Sequence, residues 1–84
     1  MANGATIDVL YFAQVAEHLG VRQETQPLAE PVAASAWLDA LVRRCPALGP
    51  ASRLKLAINQ EHASHHDTIR PGDEVAVFEP VTGG

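Results

Sequence analysis

The chain predicts an α+β fold: a mixed β-sheet with one main helix packed across it. Two observations in its 84 residues point there. One stretch in the middle carries apolar residues at helical spacing, and segments before and after it alternate apolar and polar residues with the period of two that marks a half-buried strand. The order is strand, short helix, strand, main helix, strand, strand.

"TIDVLYFA" gathers β-branched and aromatic residues, with Ile7, Val9 and Tyr11 alternating against Asp8, Leu10 and Phe12. Only Asp8 interrupts the apolar character, so this strand is expected to be buried on both faces for part of its length. "QVAEHLG" offers two helical turns, with Val15 and Leu19 on one face and Gly20 as the stop. "VRQETQPL" alternates polar residues and ends at Pro27, which suits an edge strand.

The main helix is expected over residues 32–45, "VAASAWLDALVRRC". Ala34, Trp37, Leu38, Leu41, Val42 and Cys45 share a stripe, while Ser35, Asp39 and Arg43 fall opposite. Pro31 near its start, Arg43 and Arg44 in its last turn, and Pro46 beyond agree with helix-end electrostatics and stops. "PALGPAS" reads as a loop, and "RLKLAINQ" as a strand with Leu54, Leu56 and Ile58 inward. "EHASHHDTIRPGD" is a polar connection with a short strand at most, closed by a type II turn at Pro71-Gly72. "EVAVFEP" is the last strand.

Ten acidic residues against six basic give a formal charge of −4, which disfavours nucleic acid and points to protein partners, particularly ones with basic surfaces. One cysteine cannot make an internal disulfide, and no stretch has the length of a membrane span or the pattern of a signal peptide. The expectation is a soluble cytoplasmic protein with no membrane or nucleic-acid partner.

His62, His65, His66 and Asp67 are the one tempting ligand cluster, but they sit in a polar loop without a regular element to aim them, so no metal site is expected. Cys45 lies on the helix stripe and reads as core. No nucleophile, base and oxyanion set is complete, which suits a substrate or carrier better than a catalyst. Alternation sends Val75 and Val77 toward the helix and Phe78 to the other face, where it is either part of a second core or an anchor for a partner.

Placing the first and last strands side by side in the sheet centre, beneath the helix, buries both apolar strands and leaves the polar second strand at an edge. That layout is a β-grasp, with residues 1–80 as a single domain and 81–84 as a flexible Gly-Gly tail. "VLYFAQVAEHLG" together with "LAINQ" through "PGDEVAVFEPVTGG" resembles the small subunit of molybdopterin synthase, a ubiquitin-like sulfur carrier. The resemblance covers nearly the whole chain outside "MANGA" and the middle.

The resemblance implies a non-catalytic sulfur-donor subunit, working in a heterotetramer with a large synthase subunit that holds the active site. It also implies an E1-like adenylating enzyme that uses ATP, and a sulfurtransferase, with no cofactor bound by this chain. The carboxylate of Gly84 would be adenylated and then thiocarboxylated, and would give its sulfur to cyclic pyranopterin monophosphate in molybdenum cofactor biosynthesis. Pro80, Val81, Thr82 and Gly83 would thread the partner's active site, while Phe78 and Glu79 would meet its surface. From Pro80 to Gly84 an extended chain reaches about 17 Å, and glycines without Cβ suit a narrow channel. Family tails commonly carry two prolines where this one has Glu79-Pro80, which puts a charge at the interface that a basic partner residue would answer. A carrier for thiamine or tRNA thiolation, or a ubiquitin-like protein modifier, shares the terminal Gly-Gly and is the alternative.

Overall fold

A computed structural model of the chain describes residues 5–80. Its elements are β1 (Thr6–Tyr11), α1 (Ala13–Leu19), β2 (Gln23–Pro27), β3 (Val32–Ala33), α2 (Ala34–Arg44), β4 (Lys55–Ile58), β5 (Glu61–Ala63), β6 (Thr68–Ile69) and β7 (Glu74–Phe78). Five strands form one sheet in the order β2-β1-β7-β4-β5, and β3 pairs with β6 in a small second ladder. β1 and β7 run parallel in the centre, with Val9 beside Val75 and Tyr11 beside Val77. The other pairs are antiparallel. This is the expected β-grasp, and the polar β2 lies at the edge where its alternation placed it.

The core follows from the two periodicities. Ile7, Val9 and Tyr11 of β1, Leu56 of β4, and Val75 and Val77 of β7 are buried against Ala34, Trp37, Leu38 and Leu41 of α2. The other face of β1 is wetter than expected. Thr6 and Asp8 are exposed and Leu10 is half-buried, since α2 packs on the opposite face, against Ile7, Val9 and Tyr11.

Three local expectations are corrected. The helix begins at Ala34 rather than residue 32, because Val32 and Ala33 are drawn into the ladder with Ile69 and Thr68. No side chain caps it; the carbonyls of Asp67 and His65 accept from the Ala34 and Ser35 amides at 2.8 and 2.9 Å. The segment after α2 folds into two 3-10 turns, Pro46–Leu48 and Ala51–Arg53, which bury Leu48. The strand expected through Gln60 stops at Ile58, where Asn59 and Gln60 take positive φ, 53° and 72°, and the start of the polar connection pairs back as β5 to make a hairpin with β4. It also contributes Ile69, fully buried in the core.

The expected turn is present. Asp73 donates its amide to the Arg70 carbonyl at 3.1 Å, with Gly72 at φ 92°. Asn59 clamps it, donating to the Asp73 carboxylate and accepting from the Glu74 amide, each at 3.0 Å. The domain thus has two distinct ends. β1 and β7 finish at one, the tail end, where β2 and β4 start and α1 lies; the Asn59 hairpin and Pro71-Gly72 turn mark the far end.

Candidate functional site

The expected working residues are strung along the end of β7. Phe78 closes that strand opposite Lys55 of β4, on the face that α2 leaves uncovered. It is half-buried, and the His62 ring meets it edge-on with centroids 5.6 Å apart and planes at 86°. Glu79 is half-buried and Pro80 exposed. Val81, Thr82, Gly83 and Gly84 lie outside the described residues.

Beside this root stands a residue that alternation alone assigned to a buried strand. Phe12 is 48% exposed, the larger of two exposed big apolar side chains among the described residues. Its amide donates to the Val77 carbonyl at 3.2 Å, which fixes it next to the base of the tail. Ala13 takes φ 50°, a left-handed conformation that costs a non-glycine residue about 1 kcal/mol and bends the chain sharply from strand into helix at this point. Along the parallel register Phe12 follows the Tyr11–Val77 pair and so neighbours Phe78, while Leu10 sits beside Ala76 and Ala76 beside Ala57. The uncovered face therefore carries an apolar strip leading to the tail. The signal in the sequence was the alternation itself, which placed Leu10 and Phe12 opposite the helix-facing residues.

On the helix side a polar network steadies the same end. Tyr11 donates its hydroxyl to Glu24 of β2, and Gln26 donates to both, at 3.2 Å to Tyr11 and 3.1 Å to Glu24. The Trp37 indole donates to Gln26 at 3.1 Å, and Arg44 forks onto both Glu24 oxygens at 2.7 and 3.2 Å. The Arg44 hydrogen bonds, helped by those from Tyr11 and Gln26, overcome partial burial and hold the Glu24 carboxyl down at about 2. Burial, and then the Glu24 carboxylate, push the Tyr11 hydroxyl well above its ordinary value. α2, β2 and β1 are thereby locked together beneath the tail root.

The histidines point to separate tasks. His62 packs on Phe78, while His65 bonds the Leu54 carbonyl through Nε2 at 2.7 Å and caps α2 through its own carbonyl. Among the described residues no three His, Cys, Asp or Glu side chains gather where they would hold a metal ion. Cys45 is half-buried, its thiol 3.6 Å from the His18 carbonyl. No helix among the described residues is long and apolar enough to cross a membrane.

A parallel central strand pair, a crossing helix, and an apolar strip running to the root of a Gly-Gly tail define a ubiquitin-like β-grasp protein. The chain belongs to the ThiS family, which it matches over residues 9–84, and within it to the molybdopterin synthase sulfur-carrier group. It is 35% identical over 82 residues to the human molybdopterin synthase sulfur carrier subunit, covering 93% of both chains. It is likewise 35% identical over 81 residues to that subunit of Chlamydomonas reinhardtii, covering 93% of this chain and 98% of the relative. Among solved structures, small archaeal modifier protein 1 of Haloferax volcanii superposes with a TM-score of 0.73 at 30% identity, over 93% of this chain and 100% of that one. A putative molybdopterin converting factor subunit 1 from Pyrococcus furiosus shares the fold, with a TM-score of 0.77 at 23% identity over 93% and 100%.

Proposed function

We propose that the chain is the sulfur-carrier subunit of a molybdopterin synthase and that its reactive group is the carboxylate of Gly84. The observation that carries the reading is the geometry of the tail root. β7 is the central strand of the sheet, hydrogen-bonded on both sides, so the segment after Phe78 leaves from the middle of the sheet. Phe12 and Phe78 flank the exit as apolar anchors for the large subunit, with Glu79 at their rim. Similarity to two molybdopterin synthase sulfur carrier subunits at 35% identity supports the same role.

In this reading a Gly84 carboxylate oxygen attacks the α-phosphorus of ATP in an E1-like adenylating enzyme, and pyrophosphate leaves. Sulfide sulfur delivered by a sulfurtransferase then adds to the acyl carbon and AMP departs, which leaves a thiocarboxylate. A carboxylate is a poor electrophile, and the phosphoanhydride supplies the leaving group it lacks. The thiocarboxylate, threaded by Pro80, Val81, Thr82 and Gly83 into the large subunit, attacks a carbon of cyclic pyranopterin monophosphate through its sulfur and displaces an oxygen substituent; water then cleaves the Gly84 acyl–sulfur bond, which leaves sulfur on the pterin and returns the Gly84 carboxylate. This chain contributes the sulfur and the docking surface, and the large subunit contributes the catalytic groups.

Intact-mass spectrometry of the protein from its own cells tests the proposal. A fraction in which one oxygen is replaced by sulfur, mapped to the C-terminal peptide, is expected. A chain that never carries that mass shift when the adenylating enzyme, sulfur donor and ATP are supplied would refute it.

A further inference from the structure

The formal charge of −4 points toward partners with basic surfaces, but the fold distributes that charge unevenly. Five of the six Lys and Arg residues lie at the tail end. Arg22 accepts the Tyr11 amide at its carbonyl where β2 begins, and Lys55 faces Phe78 where β4 begins. Arg53 closes the turn just before Lys55. Arg43 and Arg44 close α2, whose next residue, Cys45, reaches the α1 carbonyl of His18. All five are exposed. Glu17, Glu24 and Glu79 oppose them there, with Asp39 one turn before Arg43 on α2, and Glu24 is already engaged by Arg44.

The far end has the opposite sign. Glu61, Asp67 and Asp73 line one groove with Arg70 as its sole cation, Asp8 and Glu74 pair across β1 and β7, and Glu30 lies in the loop after β2. A strand of five or six residues separates the two ends by roughly 17–20 Å, about twice the physiological Debye length of about 8 Å. A partner touching one end therefore feels little of the other. What it meets at the tail end is two phenylalanines framed by Arg22 and Lys55, with Arg43 and Arg53 beyond.

We propose that the tail end is an electropositive docking surface whose partner is a protein with an acidic rim around the channel that receives the tail. The inference rests on the sulfur-carrier reading and adds the charge of the complementary surface. Glu79 then marks the one place where that rim carries a positive or neutral group. Cations of this kind steer encounter and set orientation more than they add affinity, so the effect belongs to the association rate.

The test is stopped-flow association with the purified large synthase subunit of the same organism, between about 0.02 and 0.3 M salt, where the screening length falls from roughly 20 to 6 Å. The wild-type rate is expected to fall as salt rises. R22E/R53E/K55E is expected to associate at least about tenfold more slowly at low salt, R22Q/R53Q/K55Q to lie between, and the far-end control E30K/E61K to stay within about twofold of wild type. Circular dichroism and melting temperature confirm that each variant is folded. A wild-type rate that is flat or rises with salt, or charge-reversed variants that bind as fast as wild type, would overturn the proposal. Failure of the sulfur-carrier reading looks different: no oxygen-for-sulfur mass shift on the wild-type chain, whatever the rates.

Discussion

Glu24→Gln is the sharpest probe of what holds the tail end together. The substitution keeps the side chain's shape and an acceptor for the Tyr11 hydroxyl, but removes the charge that Arg44 grips with two hydrogen bonds. A carboxyl held at about 2 instead of its ordinary 4.5 contributes at most about 3 kcal/mol at neutral pH. Arg44 is 46% exposed and the Glu24 side chain 24%, so screening brings the expected loss to about 1–2 kcal/mol. Because the folded value lies below the unfolded one, the contribution is complete above about pH 5 and drains away as pH falls from 4.5 toward 2. Urea unfolding of both proteins at several pH values from 7 to 3 measures it. The gap between them should be widest at pH 7 and shrink steadily below pH 4.5. A gap that is the same at pH 3 as at pH 7 would refute the charge-based account and leave only lost shape.

Three further outcomes are expected. Deleting Gly84 should abolish sulfur loading by the adenylating enzyme while leaving the melting temperature unchanged, since among the described residues the buried core runs from Ile7 to Val77; recovered loading in the deleted chain would place the reactive carboxylate elsewhere. Phe12→Ala and Phe78→Ala should each weaken binding to the large subunit by more than about 1 kcal/mol, measured by titration calorimetry, with Phe12→Ala nearly neutral for stability because its ring is exposed. Ile69→Ala should cost about 2–4 kcal/mol in urea unfolding, as for any fully buried aliphatic side chain, although it sits in a two-residue strand.

The strands and helix that face the core were legible because one-sided burial writes itself as a period. Ile7, Val9 and Tyr11, or Leu54 and Leu56, could be read off without knowing their neighbours. What stayed hidden depends on partners distant in the chain. Val32 and Ala33 run into the helical stripe without a break in the sequence and become a strand because Ile69 and Thr68 arrive beside them. Ile69 itself stands alone in a polar run with no period to announce it. At the site, the strip of Leu10 and Phe12 was implicit in the alternation, but whether a second layer covers it is a tertiary fact. The Glu24–Arg44 pair joins residues twenty apart on different elements, and charge polarity is invisible to a count of signs.

The central pairing of β1 with β7 also governs when the protein can exist. The strand that organises the sheet is joined to partners on both sides, one of them more than sixty residues upstream. Closing so distant a pair is entropically slow, and nothing shorter can substitute for it. On the ribosome, β1 and β4 must wait with open edges until Glu74–Phe78 emerges. A nascent or truncated chain lacking that strand has neither the platform of Phe12 and Phe78 nor a fixed root for the tail. Assembly of the Phe12–Phe78 platform is thereby coupled to the emergence of Glu74–Phe78, so whatever recognises the platform is blind to chains that lack that strand.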